Sequence, residues 1–253
     1  MNRIELLRLD YLFSVVVPCL LAVFVNDLAI GNHLEIIFGW SFIGITGNLL
    51  NDAIDKDRAI DYTTKELGTI AIISFILGIT LMIKTFLLYP ITSVFVLFSI
   101  FLVIGYCVKF KKYAIVNKFI LVTSHIVFPY LMIAIQTPAL PLSYGEINLL
   151  LTFFAFSFSG QVIHEAIDQE AIESFSQRKV QIIVQISSIL TIMFGILAIF
   201  QLNNYYLLPF VVIPIGPMYI YRKPRPPGPH VKDVGIIIGN LIMVYLIVLI
   251  FSS

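Results

Sequence analysis

Charged side chains are scarce in this sequence: Asp, Glu, Lys and Arg make up 12% of its residues, against 59% hydrophobic ones. A soluble globule of this size needs far more charge to cover its surface, so a soluble domain is excluded and an integral membrane protein is implied. Cysteine is nearly absent too. Cys19 and Cys107 both fall in apolar stretches, with neither a metal-ligand spacing nor an evident disulfide partner, which leaves packing as their expected role. No low-complexity segment is present. The net charge of +1 says nothing of partners by itself, and no nucleic acid is expected among them.

What the sequence does have is long apolar runs. Crossing about 30 Å of hydrocarbon takes about 20 helical residues, and runs of that order lie near residues 11 to 31, 34 to 52, 67 to 87, 89 to 108, 114 to 135, 147 to 166, 180 to 200, 204 to 221 and 234 to 252. The expected fold is therefore an all-α membrane protein, nine transmembrane helices around a central cavity in a single domain over residues 1–253. The first run carries no small-residue cleavage site and is followed at once by the second, so it is expected to be a membrane helix and not a removable signal peptide.

With nine crossings, the N-terminus and the loops after helices two, four, six and eight share one side. Every basic residue except Lys84 belongs to those segments, from Arg3 and Arg8 through Lys65, Lys109, Lys111, Lys112, Lys118, Arg178 and Lys179 to Lys232. The positive-inside rule makes that side cytoplasmic. The expected setting is a bacterial or archaeal cell membrane, with the N-terminus inside. The proline-rich basic turn Lys223-Pro-Arg-Pro-Pro-Gly-Pro229 is expected to anchor against lipid headgroups.

Two segments nearly repeat each other: Gly47-Asn-Leu-Leu-Asn-Asp-Ala-Ile-Asp-Lys-Asp57 and Gly160-Gln-Val-Ile-His-Glu-Ala-Ile-Asp-Gln-Glu170. Each is the polar end of an otherwise apolar helix. Asn48, Asn51, Asp52 and Asp55 fall at i, i+3, i+4 and i+7 and so share one helix face, as do Gln161, His164, Glu165 and Asp168. An even number of crossings separates the copies, which makes the duplication a parallel repeat, with halves of about 1–112 and 113–253. Both motifs then lie on the cytoplasmic side and can face each other.

Carboxylates and carboxamides are hard oxygen ligands suited to Mg²⁺, which keeps several waters and commonly bridges protein to phosphate oxygens. The two clusters together suggest a divalent-metal site, and such a pair suits a diphosphate. Ionisable residues on one face of a membrane helix usually line a functional cavity. His164-Glu165 begins the zinc-protease motif, but that motif needs a second His at i+4, where Asp168 stands, so zinc is set aside. His164 is expected as a hydrogen-bond donor to phosphate or behind the metal ligands. The cationic run from Gly105 to Lys112, with Asn117 and Lys118, ends helix four at the depth of the acids; within it Lys109, with Lys65, is expected to contact substrate.

These residues resemble a known family. Asn51-Asp-Ala-Ile-Asp55 followed by Asp61 is similar to the NDxxDxxxxxD motif of the UbiA superfamily of intramembrane prenyltransferases. Glu165-Ala-Ile-Asp168-Gln-Glu170 resembles its second aspartate-rich motif, and Tyr106-Cys-Val-Lys109-Phe-Lys111 with Asn117 its Tyr-Ser-x-x-x-Lys stretch. The resemblance implies nine helices around a cavity, two Mg²⁺ held by the motifs, and transfer of a prenyl group from a prenyl diphosphate to a lipophilic, aromatic or quinone-precursor acceptor among membrane lipid. It implies that Asn51, Asp52, Asp55 and Asp61 serve the first metal and the diphosphate. Glu165 and Asp168 would serve the second metal, and Tyr106 and Lys109 the diphosphate oxygens. The sequence has His164-Glu165 where many members have a basic residue and Asp.

The carbocation left by an allylic diphosphate must meet its acceptor before water does, so an aromatic-rich cavity is expected, with Phe42, Phe128, Tyr130, Phe153 and Phe156 as candidates. Three rivals share these features. A terpene cyclase would ionise the same donor and quench within one chain, a transporter would bind without cleaving, and an inactive scaffold would bind no Mg²⁺.

Overall fold

The computed structural model describes residues 7–55, 62–137 and 142–252, and these contain helices and no strand. In chain order the helices are α1 (Phe13–Val25), α2 (Leu34–Asp55), α3 (Thr64–Leu88), α4 (Ile91–Val108), α5 (Val116–Val122), α6 (Phe128–Ala134), α7 (Tyr144–Asp168), α8 (Gln177–Leu202), α9 (Pro209–Val212), α10 (Ile215–Ile220) and α11 (His230–Ser252). A π-helical segment, Thr123–Val127, joins α5 to α6, so that Val116–Ala134 is one continuous span. The cause is local: Pro129 has no N–H to offer the preceding turn, while Ser124 Oγ donates to the Leu121 carbonyl at 2.9 Å and His125 Nδ1 lies 2.8 Å from the same oxygen. Prolines 209, 214 and 217 similarly cut the segment Tyr205–Ile220 into short helices.

Six spans are long and apolar enough to cross a membrane: Thr64–Leu88, Ile91–Val108, Val116–Ala134, Tyr144–Asp168, Gln177–Leu202 and His230–Ser252. Beside them, α2 has 22 residues but a polar end, and Leu9–Val25 and Tyr205–Ile220 are shorter. The described residues thus form nine helical rods, in the places the apolar runs predict. The protein is an all-α, multi-pass membrane protein.

The burial pattern is that of a chain solvated by lipid. On α3 the buried positions are Leu67, Ala71, Ser74, Gly78, Met82 and Thr85, at helical spacing, while Ile72, Ile73, Ile76 and Leu87 face outward. Small and hydroxyl residues turn inward because apolar side chains gain little by leaving lipid, whereas close backbone approach and interhelical hydrogen bonds do hold the bundle. Ser74 Oγ donates to the Phe42 carbonyl at 2.9 Å across the α2–α3 contact, and a Cβ on Gly78 would meet the Gly39 carbonyl at 3.0 Å. On α8 the inward face likewise includes Ser187, Ser188, Thr191, Gly195 and Ala198, beside Val180, Val184 and Ile199. α2 packs along α3 and α7 along α8, so each motif-bearing helix has the helix that follows it as its main partner. Capping boxes start α3 (Thr63 with Glu66) and α7 (Ser143 with Glu146). Around the buried α1, Leu20 to Val23 and Trp40 of α2 form the centre of the core.

Candidate active site

The first motif forms the last two turns of α2. Asp52 is buried, 5% exposed, with Asn48 and Asn51 half-buried on the same face. Arg8, just before the rod Leu9–Val25, reaches Asp52: its Nη2 donates to Oδ1 at 2.8 Å. The other Asp52 oxygen, Oδ2, is buried and has no hydrogen-bond partner among the described residues. Asn51 Oδ1 lies 4.0 Å from Cys107 Sγ at the end of α4, next to buried Tyr106. Asp55 ends α2, but its side chain lies outside the described residues, as does Asp61 altogether.

The second motif ends α7 and is held differently. Glu165, 3% exposed, forms an ion pair with Lys118, which is fully buried. Its Oε1 also accepts from Asn117 Nδ2 at 2.6 Å, and its Oε2 from the Ile172 N–H at 3.2 Å. Asn117 Nδ2 donates as well to the Lys111 carbonyl at 2.9 Å. One turn on, Asp168 is more open. Lys232, at the start of α11, donates to both its oxygens at 3.0 and 2.7 Å, and His164 Nδ1 stands 3.3 Å from Oδ2.

These contacts tie the two motifs to one end of the bundle. On one side the N-terminal segment links them: Arg8 holds Asp52, and three residues later the Tyr11 ring meets the His164 ring edge-on at 6.1 Å. On the other side the end of α4 and the start of α5 link them, through Asn51 with Cys107, then Asn117 with Glu165, and Lys111 with Glu170 at 3.6 Å. Lys109, the residue after α4, is exposed at this end; Lys112 is exposed too, 5.4 Å from the Tyr113 ring centre. Lys65 is exposed in the first turn of α3.

The donors of the first motif fit a hard cation. They are oxygen atoms only, and Asp52 Oδ2 is a buried carboxylate oxygen with no partner, a position costly to leave unfilled. Both oxygens of Glu165, by contrast, are engaged by the chain itself. Among the described residues no group of three or more His, Cys, Asp or Glu side chains is gathered tightly enough to hold a metal.

A cavity of about 220 Å³ lies beside the first motif, among α2, α3 and α4. Its walls are almost wholly apolar, with Gly47 and Leu50 of α2, Phe75 of α3, and Ile100 and Val103 of α4 among them. Of the aromatic candidates, Tyr130 donates to Glu146 at 3.4 Å, at the opposite end of α7 from the motif, and Phe153 packs on Phe210 with ring centres 4.7 Å apart.

Three residues of this end were legible only as cytoplasmic-side charge: Arg8, Lys118 and Lys232. Lys118 carried a usable signal, since it falls inside the apolar run from 114 to 135, where a lysine calls for a partner. Arg8 and Lys232 are brought to the motifs by tertiary folding and leave no trace in the spacing.

No protein-family model matches this chain, and no curated protein does. A solved structure does: that of a digeranylgeranylglyceryl phosphate synthase studied in membranes. It is 16% identical, superposes with a TM-score of 0.62, and the match covers 98% of this chain and 95% of that one. At that identity the likeness is one of fold: over nearly its whole length the chain shares the fold of that synthase.

Proposed function

We propose that this protein transfers a prenyl group from a prenyl diphosphate to a lipophilic acceptor within the membrane, with Mg²⁺ as its metal and the motif-bearing end on the cytoplasmic side. The observation that carries this is the meeting of both motifs at one end of a bundle with a prenyltransferase fold. Asn51 and Asp52, with Asp55 and Asp61, are the candidate ligands of the first metal, and Asp168 is the candidate for the second; Glu165, expected beside it, is held by Lys118, Asn117 and the Ile172 N–H and serves to position that end of α7. Mg²⁺, when bound, supplies positive charge that holds the diphosphate more strongly as its C–O bond breaks.

The chain supplies the rest. Tyr106 and Lys109 are donors for diphosphate oxygens not taken by metal. The apolar cavity beneath the first motif offers room for the hydrocarbon part of a substrate and keeps water from the cationic carbon. As the prenyl C–O bond breaks and diphosphate leaves, the acceptor oxygen or carbon forms the new bond to the prenyl carbon and its proton passes to the released diphosphate; the acceptor is taken to be an aromatic or quinone-precursor compound.

The test is incubation of the reconstituted protein with a ladder of prenyl diphosphates and mixed acceptors, read by mass spectrometry. Prenylated acceptor with released diphosphate is the expected result. A cyclised hydrocarbon made without acceptor would instead identify a cyclase, and uptake without cleavage a transporter. Turnover is expected to stop with excess EDTA and to return with Mg²⁺ or Mn²⁺ without Zn²⁺; full activity in EDTA would sink the metal assignment. Lys109→Ala is expected to raise the KM for prenyl diphosphate about tenfold, the worth of one charge-assisted hydrogen bond, while Lys112→Ala changes little. Equal effects, or a larger one at Lys112, would place the diphosphate against another part of this turn.

A further inference from the structure

Arg8 is placed on Asp52 with unusual care. Its backbone is left-handed, φ 45° and ψ 47°, a conformation that a residue with a side chain adopts only when its surroundings impose it. The surroundings are specific. Asn240 of α11 donates to the Asp10 carbonyl at 2.9 Å, and Tyr11 rests on His164, so the segment is pinned on both sides of the two motifs. The result is a guanidinium with one nitrogen on Asp52 Oδ1 and its Nε buried with no acceptor among the described residues. Beside it the second Asp52 oxygen is buried and equally unpartnered. Among the described residues one carboxylate oxygen and one guanidinium nitrogen are thus both buried and without a hydrogen-bond partner.

We infer that Arg8 is the resident counter-cation of Asp52 in the metal-free protein, competing with the metal for that carboxylate, and that on metal binding its freed guanidinium turns to the diphosphate. This rests on the proposed use of Asp52 as a metal ligand. The buried carboxylate needs a positive partner in both states, because an unpaired charge there is costly. The guanidinium fork likewise suits phosphate oxygens as well as it suits a carboxylate. Ion and diphosphate should therefore bind in a mutually dependent way: the ion releases Arg8, and the diphosphate keeps it from returning.

The test uses the full chain in detergent or nanodiscs, with Mn²⁺ and inorganic diphosphate as probes. Free Mn²⁺, followed by its paramagnetic resonance signal without diphosphate, is expected to bind Arg8→Gln about tenfold more tightly than the unsubstituted chain, since the competitor is gone. Calorimetric titration of inorganic diphosphate at saturating Mn²⁺ is expected to show at least about tenfold weaker binding to the same variant. Arg8→Lys keeps the charge and should keep the weak Mn²⁺ binding. A fall in the metal-free melting temperature of Arg8→Gln, restored by Mn²⁺, would report the stranded carboxylate and show that the variant still folds. Unchanged or weaker Mn²⁺ binding by Arg8→Gln would overturn the competition, and unchanged diphosphate binding would overturn the transfer. Neither measurement contains a prenyl donor or acceptor, so failure to find prenyl transfer bears on the proposed function and not on this one.

Discussion

Lys118→Met is expected to destabilise the protein by about 3–5 kcal/mol, because it strands the Glu165 carboxylate in a site closed to water. Lys118 is fully buried, and the Asn117 amide and the Ile172 N–H that also serve Glu165 carry no net charge to replace the ammonium. Neutralising both ends, Lys118→Met with Glu165→Gln, should recover most of the loss, since the cost lies in the unpaired charge rather than in the missing attraction. Unfolding followed in mixed micelles for the single and double variants measures both quantities. A single variant within about 1 kcal/mol of the unsubstituted chain would mean that the pair is solvated or that Glu165 takes up a proton at little cost.

This pair marks the boundary of what the sequence disclosed. Helix positions follow from hydrophobic length, and the nine apolar runs become nine helical rods among the described residues, since a helix satisfies its own backbone hydrogen bonds where lipid offers none. Motif placement follows from helical periodicity, so the sharing of a face by Asn51 and Asp52, or by His164, Glu165 and Asp168, is a local property. What those faces touch is not local. The partners of Asp52, Glu165 and Asp168 come from 44, 47 and 64 positions away; Arg8 and Lys232 have a solvated reading that is complete without a partner, while Lys118, within an apolar run, calls for a partner that the sequence does not name. The breaks at Pro129 and along Tyr205–Ile220 were visible as prolines but not as departures from a straight helix, since the form of a break depends on which neighbouring side chains take up the freed carbonyls, as Ser124 and His125 do at Leu121.

The three cations also bear on how the end of the bundle works. Arg8, Lys118 and Lys232 each hold one motif carboxylate, but in different surroundings: Lys118 is sealed, Arg8 is mostly covered, and Lys232 is about a quarter exposed. A sealed pair fixes structure, whereas a partly open pair can exchange its cation for another. Glu165, engaged by three groups of the chain, thus anchors α7 to α5, while Asp52 and Asp168 are the carboxylates whose partners are free to change.

It follows that Asp52 and Asp168 are where single substitutions should remove the activity without removing the fold. Asp52→Ala and Asp168→Ala are each expected to lower kcat about 100- to 1,000-fold, the range for loss of one group that stabilises developing charge, with the fold retained, Asp52→Ala at a lower melting temperature because it leaves the mostly covered Arg8 unpaired. Folding should survive because Lys232 can return to water and Arg8 is left with solvent along one side; Asp52→Asn, which keeps the side-chain shape, controls for any collapse around Arg8. Steady-state turnover of prenyl diphosphate, measured with Mg²⁺ well above saturation, separates the cases. Recovery at high Mg²⁺ would mean that the carboxylate only raises metal affinity, and full activity of either variant would mean that a single motif carries the chemistry. Loss of folding in both, with Asp52→Asn unfolded as well, would turn the two motifs into structural anchors and leave this end of the bundle without a catalytic role.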